Sequence, residues 1–505
     1  MDILLITPDH ENTKNNYPWA ALSVGSYLSN VKKYDIKLLD GSVYSKPELY
    51  DRLKQYCKSV KLVGISCMSS DTFYIKGVID YIKEINSDSR IIMGGPHARL
   101  QPEQTCLYKN IDFVSYAEGE YTVSQLYEEI KSGNNRYDKV PGLIYKENGK
   151  VKRTLPPEPV GFYDIDYGLL PESTRQTFHE YIQVLTGRGC SFRCTFCFNS
   201  VCGQSWQGRP MEDLINEIDN IVSKYDPEVI YFRDDNFFLS KTRIEEFMSY
   251  YRERKYRFKW RANCYAGYYN KQYITFDFLK KLEEINCETL KFGMESGSQR
   301  VLNALKKKIK VDNVKRLVSD LSKFKKIQGN YSFMVGLPGE TFEEYKETMA
   351  LIKYILEREP DAFIIGPNYF RIYPGGTLYD EIKTQYNYFE PKSFEEWAIK
   401  YNPEKDLLSF GKHIRYPWIP QKYEFFAQYA DIIVKLSKKS IRKDLRVIIA
   451  LPFILLARAR IKYEWYECLY DLRVFVALYK PLLKFKSKFK SIIDGLKVIQ
   501  VETTK

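Results

Sequence analysis

Short apolar runs alternate with helical lengths through residues 1–150, and this alternation restricts the fold more than any other feature of the chain. Ile3–Thr7, Ile36–Asp40, Leu62–Ser66, Arg90–Gly94 and Phe113–Ala117 read as strands. Between them Ala20–Ser29, Lys46–Tyr56, Thr72–Glu84 and Tyr121–Lys131 carry helical spacing. A chain written this way predicts an α/β domain, an open parallel sheet wound on both faces in the Rossmann-like manner. Ligands of such sheets bind at the carboxyl ends of the strands, where the strand order reverses. Small residues gather there in Ser66-Cys-Met-Ser-Ser70, Gly94-Gly-Pro-His-Ala98 and Ala117-Glu-Gly-Glu120. They would let a flat or phosphate-bearing ligand approach backbone N–H groups. Glycines also simply end strands, and a flavodoxin-like module reads the same way at this level.

The ten cysteines are scattered except for one group. Residues 181–201 run Tyr-Ile-Gln-Val-Leu-Thr-Gly-Arg-Gly-Cys-Ser-Phe-Arg-Cys-Thr-Phe-Cys-Phe-Asn-Ser-Val, an apolar strand ending in a glycine-rich loop with Cys190, Cys194 and Cys197. Three thiolates in so short a loop can hold three irons of a [4Fe–4S] cubane. The fourth iron is then open for S-adenosylmethionine (SAM) to chelate through its amino and carboxylate groups. Structural zinc is the competing reading, and Cys202 lies close enough in sequence to be its fourth ligand. The 3-then-2 spacing and the lack of a second Cys-x-x-Cys pair argue against it. Met1 to Thr7 enters a strand without an export signal, which points to a cytoplasmic chain with clustered thiols as metal ligands rather than disulfides.

Six further apolar strands separated by helical lengths lie between 180 and 380, at Ile182–Thr186, Val229–Arg233, Phe258–Ala262, Thr289–Gly293, Asn330–Val335 and Ala362–Gly366, the last with Tyr373 as its alternative end. Six such units predict a partial (β/α)6 TIM barrel, with its site at the carboxyl ends of the strands. Polar residues cluster at those ends: Asp234-Asp235-Asn236, Arg261-Ala-Asn263, Met294-Glu295-Ser296-Gly297, Gly336-Leu-Pro-Gly-Glu340, Arg371 and Pro374-Gly-Gly-Thr377. The expected divisions are a ligand domain over 1–150, a linker over 151–179, the barrel over 180–385 and a mainly helical, basic region over 386–505.

Several runs together resemble the cobalamin (B12)-binding radical SAM protein family. In the first domain these are Tyr17-Pro-Trp-Ala-Ala-Leu-Ser-Val-Gly-Ser-Tyr-Leu28, Gly94-Gly-Pro-His-Ala98, Pro102-Glu103 and Asp112-Phe-Val-Ser-Tyr-Ala-Glu-Gly-Glu120. In the barrel they are the cysteine loop and the ordered strand ends over nearly all of 180–380. The resemblance implies a cobalamin-binding domain contacting its ligand through Ser66, Ser69, Ser70, Gly94, Gly95, His97, Glu118 and Gly119. The Asp-x-His-x-x-Gly loop of other cobalamin modules is absent, since Asp9-His10 has the wrong spacing, so base-off cobalamin without a histidine ligand is implied. His97 reads as hydrogen-bonded within its loop, with cobalt ligation as the alternative. In the radical SAM core, the resemblance implies that Phe196 holds adenine and Asp234 the SAM amino group. It also implies that Glu295 and Ser296 face ribose or carboxylate, that Gly336 borders adenine, and that Arg371 pairs with the carboxylate. No catalytic acid or base is identifiable.

The net charge of +13 is concentrated at one end, with 16 Lys and Arg against 6 Asp and Glu from Leu436 to Lys505. A general nucleic-acid binder would be basic across its body, which argues against that class, although RNA modification through the tail is a reading to test. Aromatic runs beyond about Tyr386, Phe394-Glu-Glu-Trp397 and Tyr416-Pro-Trp418, would lid the barrel or pack on it. Arg446-Val-Ile-Ile-Ala-Leu-Pro-Phe-Ile-Leu-Leu-Ala-Arg458 is too short to span a bilayer, which takes about 20 apolar residues. With Lys484-Phe-Lys-Ser-Lys-Phe-Lys490 it would suit either contact with the inner face of an anionic membrane or a buried helix and a solvated tail. The expected activity is anaerobic methylation of an unactivated carbon of a small or lipid-like substrate, with flavodoxin or ferredoxin as electron donor. Rival readings are a ring-forming or oxidative enzyme resembling the anaerobic magnesium-protoporphyrin ester cyclase, and a cluster- or cobalamin-based sensor.

Overall fold

The computed structural model describes residues 1–7, 17–202, 205–360, 362–402, 416–438, 447–466 and 470–475. The chain divides into two compact units, one of residues 1–182, 216–227 and 373–406, the other of 183–215, 228–372 and 407–505.

In the first unit β1 (Ile3–Thr7), β2 (Ile36–Asp40), β3 (Leu62–Ser66), β4 (Arg90–Gly94) and β5 (Phe113–Ser115) are parallel, in the order β2-β1-β3-β4-β5. The order reverses at β1, as a doubly wound sheet requires. β6 (Leu143–Glu147) and β7 (Lys150–Arg153) extend the sheet antiparallel. Their short, charged sequences lack the apolar run of a doubly covered strand, so alternation alone does not reveal them. Local chemistry sets the helix ends: Ser45 and Glu48 form a capping box at Lys46–Tyr56, and Gly133, with φ 73°, ends Gly119–Ser132.

The chain returns to this unit at 373–406. Ser393 caps the helix Phe394–Lys400 by accepting the Glu396 N–H at 3.2 Å. Phe394 is fully buried in the same apolar core as Leu4, Ile65 and Ile79, and Trp397 Nε1 donates to Gln104 at 3.1 Å. In sequence this aromatic stretch reads as a lid or packing for the barrel. It is instead part of the sheet domain's core, so a boundary at 386 falls inside a segment that folds with the first unit.

The second unit is built on β8 (Tyr181–Val184), β11 (Val229–Phe232), β12 (Lys259–Cys264), β13 (Cys287–Glu295), β14 (Gln328–Val335) and β15 (Phe363–Tyr369). They form one six-stranded sheet in the order β15-β14-β13-β12-β11-β8, with parallel pairing from β11 to β15. After β8, the two-residue strands β9 (Gly187–Arg188) and β10 (Gln207–Gly208) make a separate antiparallel ribbon. Buried Trp260 packs against Phe232, Phe237 and Phe247, tying β11 and β12 to the helix Lys241–Glu253. The C-terminal helices are Gln421–Ser437 and Val447–Tyr463. Among the described residues no helix is long and apolar enough to cross a membrane. Asp9, His10, Arg446, Lys484–Lys490 and the side chain of Cys202 lie outside the described residues.

Candidate functional site

The sheet domain brings its three small-residue loops to neighbouring strand ends. Gly95 has φ 87°, and a Cβ there would lie 2.7 Å from the Cys67 backbone nitrogen, so only glycine fits. The contact knits the loops together: Cys67 N–H donates to the Gly94 carbonyl at 3.0 Å, and His97 N–H to the Cys67 carbonyl at 2.9 Å. Ser69 Oγ and His97 Nδ1 are 3.0 Å apart, Ser66 is half-buried at the end of β3, and Ser70 bonds Asp71 at 3.0 Å. Glu118 and Gly119 start the helix after β5, the neighbour of β4. His97 is fully buried against Phe394 and Trp397, and burial pushes its pKa down to about 3. It is therefore a neutral ring bonded within its own loop region.

In the second unit the cysteine loop hangs from a closed neck. β9 and β10 pair Gly187 with Gly208 and Arg188 with Gln207 at its base. Thr186 fixes that neck. Its N–H and hydroxyl donate to the two oxygens of Asp234 at 2.7 and 2.6 Å. Its carbonyl accepts from Arg209 N–H and from the Arg243 guanidinium, each at 2.9 Å. Beyond the neck Cys197 N–H donates to the Cys194 carbonyl at 3.1 Å, and Phe192 packs against Tyr265 with tilted rings, centroids 4.1 Å apart.

The three thiols are electrostatically coupled. Burial pushes the pKa of Cys190, Cys194 and Cys197 up, and Lys307 pulls each the other way. Lys307 is a largely buried cation, its side chain 11% exposed, that no local sequence pattern singles out. Its Nζ lies 2.9 Å from Glu295 Oε1 and 5.7 Å from the centroid of Phe196. Burial works against its charge, but Glu295 and the thiols outweigh it and hold the ammonium above its ordinary pKa. This donor set fits a cubane: three soft thiols on one loop, with a cation to balance their negative charge. Among the described residues no three ligating side chains converge as ligands of a single ion must; thiolates on three separate irons need not.

The other expected SAM residues all lie at carboxyl ends of the barrel strands, but their side chains are engaged differently. Asp234 is 3% exposed with both oxygens on Thr186, and burial pushes its pKa up to about 6. Its neighbour Asp235 is exposed and accepts from Asn199 Nδ2, on the cysteine loop, at 2.8 Å. Glu295 adopts φ 64° at the end of β13 and pairs with Lys307. Ser296 is buried, 3.0 Å from the Thr348 hydroxyl. Gly336, at φ 79°, donates its N–H to Glu340 at 2.6 Å. Arg371 follows β15 as an exposed side chain.

A three-thiol loop on an open parallel barrel, in a chain that also carries a doubly wound sheet with a glycine-tight ligand edge, defines a radical SAM enzyme with a cobalamin domain. Residues 184–352 match the Radical SAM superfamily and residues 14–127 the B12 binding domain. The chain is 30% identical to the uncharacterized methyltransferase PH0819 of Pyrococcus horikoshii over 75% of its own length and 83% of the relative's. It is 22% identical to the anaerobic magnesium-protoporphyrin IX monomethyl ester cyclase of Rubrivivax gelatinosus, over 77% and 71% of the two chains. In fold it is similar to the radical SAM methyltransferase TsrM of Kitasatospora setae, solved with cobalamin and a [4Fe–4S] cluster bound, with TM-score 0.63, 18% identity and 76% and 75% coverage. The chain belongs to the cobalamin-dependent radical SAM enzymes, whose cofactors are a [4Fe–4S] cluster, SAM and cobalamin.

Proposed function

We propose that the protein methylates an unactivated carbon of a small or lipid-like molecule, with the cluster on Cys190, Cys194 and Cys197 and cobalamin at the β3, β4 and β5 loops. The observation that carries this reading is the thiol loop on its closed neck, in a chain that also holds the glycine-tight ligand sheet. When bound, these groups supply the electron that cleaves SAM to methionine and a 5′-deoxyadenosyl radical, and a transferable methyl group. The protein's own residues orient the cofactors. The Asp234–Thr186 bonds hold the loop neck, and Lys307 with Glu295 balances charge beside the thiols. Asp235, the exposed carboxylate facing the loop, is the better partner for the SAM amino group than Asp234. Phe196 and the Gly336 turn border adenine, and Arg371 pairs with the SAM carboxylate. Anaerobic reconstitution with iron, sulfide, cobalamin, reductant and methyl-labelled SAM tests the reading. 5′-Deoxyadenosine together with labelled product is expected. 5′-Deoxyadenosine without label in product would favour the ring-forming or oxidative reading, which the cyclase relative supports.

Two smaller expectations attach to the same chain. Since His97 is sealed under Phe394 and Trp397, His97→Gln should leave the base-off cobalamin spectrum unchanged; a shift on substitution would reinstate cobalt ligation. Leu451 and Leu455, four residues apart on the helix Val447–Tyr463, are 44% and 56% exposed, within the segment that carries the excess of positive charge. Peripheral contact with anionic membrane through 436–505 should therefore appear as cosedimentation with phosphatidylglycerol vesicles, lost in Leu451→Asp/Leu455→Asp. Equal recovery of wild type and variant would remove the idea.

A further inference from the structure

We infer that the amino end of the barrel, opposite the cluster loop, is a second binding site for a small phosphate-bearing anion. A cavity of about 640 Å³ opens there among the first residues of β13, β14 and β15 and reaches inward to Arg261 on β12. Barrel interiors are ordinarily filled by layers of branched apolar side chains, and their amino ends serve stability rather than chemistry. Here that end is instead a polar, half-open cleft. Its lining carries five cations against two carboxylates.

The carboxylates are already engaged. Glu288 is bound by Arg261 at 2.7 Å and by Lys259 at 3.2 Å, and Glu359 accepts from the Tyr331 hydroxyl at 2.6 Å. Lys291 lies over the ring of Tyr231, 4.2 Å from its centroid, and Lys325 and Lys326 are exposed at the mouth. Lysine ammoniums act as point charges suited to phosphate. The second, independent sign is Asn330. It pairs in register with Lys291, is only 7% exposed, lines the cavity, and its Oδ1 has no hydrogen-bond partner. Native proteins rarely leave such an atom unpaired. An acceptor beside several cations calls for a ligand that carries both negative charge and a hydrogen-bond donor, as a phosphorylated, hydroxylated small molecule does.

Calorimetric titration of the reconstituted full chain, at fixed ionic strength, tests this with ribose 5-phosphate and inorganic pyrophosphate as separate probes. Saturable binding of ribose 5-phosphate is expected. It should weaken at least fivefold in Lys291→Met and in the exposed pair Lys325→Met/Lys326→Met, whose folding is not at stake, and stay unchanged in Lys310→Met outside the cavity. Asn330→Ala should weaken ribose 5-phosphate and spare pyrophosphate. Equal weakening of both probes in that variant would overturn the reading of Asn330 as the acceptor that selects a hydroxylated ligand. No saturable heat from either probe, or equal weakening in Lys310→Met, would overturn the site. Each variant should retain reductive cleavage of SAM, so failure here is distinguishable from failure of the methyl-transfer reading.

Discussion

Cys194→Ala protein should fold, take up cobalamin and form no 5′-deoxyadenosine above background. Cys194 is buried in the second unit and the loops proposed for cobalamin lie in the first, so the substitution removes one proposed cluster ligand and leaves the sheet domain's sequence intact. Iron and sulfide per chain should fall with it, read by cluster absorption and electron paramagnetic resonance. The same chemistry separates the two adjacent aspartates. Asp234→Ala strips the Thr186 N–H and hydroxyl of their partner in a buried site, at a cost of about 1–3 kcal/mol for each unsatisfied group. The neck should loosen and cluster content drop although no ligand has changed. Asp235→Asn should keep full iron content and instead raise the KM for SAM, because its carboxylate is exposed on the loop side. Intact clusters in Asp234→Ala would show that the neck is not held by that residue.

These two aspartates also mark what can and cannot be read from the sequence. Alternation of apolar runs places β1 to β5 and all six barrel strands within a few residues, because buried parallel strands need continuous apolar sequence and Pro, Gly and polar residues punctuate them. The Cys190 loop stands out because the chemistry expected of it depends on spacing alone. Which of Asp234 and Asp235 faces the loop is not legible, since successive strand-end side chains point opposite ways and a shift of one residue exchanges them. Lys307 is invisible for another reason. It lies in a Lys-Lys-Lys run that reads as solvated surface, yet its side chain is 11% exposed because the chain after β13 folds it onto Glu295. Phe394 and Trp397 mislead because aromatic residues near a barrel suggest a lid, and only the tertiary fold assigns them to the sheet domain. Pattern alone puts Glu295, Ser296 and Gly336 at the right strand ends, but only their partners show which groups are already engaged.

Glu340→Gln should abolish a fall in thermal stability that the wild type shows between about pH 4.5 and 7. Glu340 follows the Gly336 turn and is 4% exposed. One carboxylate oxygen accepts from Gly336 N–H at 2.6 Å, Leu337 N–H at 3.2 Å and the Tyr423 hydroxyl at 2.6 Å; the other has no partner. Burial outweighs these bonds and pushes the folded-state pKa up from 4.5 to about 7. A carboxyl raised in this way binds its proton more tightly when folded. Its contribution is complete below pH 4.5, where both states are protonated, and is lost as pH rises through 7. Above that the folded chain carries a buried charge that the unfolded chain carries in water. The difference amounts to about 3 kcal/mol, on the order of 5–10 °C in apparent Tm for a unit of this size. The substituted amide would bring an N–H with no partner, which costs stability at every pH, so the diagnostic is the slope of Tm against pH and not its height. Trp418 donates to the Gly336 carbonyl at 3.1 Å, and Tyr423 lies on the helix Gln421–Ser437, so that helix and the Gly336 turn should loosen together as Glu340 ionises. Parallel curves for wild type and variant would mean that water reaches this carboxylate and that the turn is held by its backbone alone.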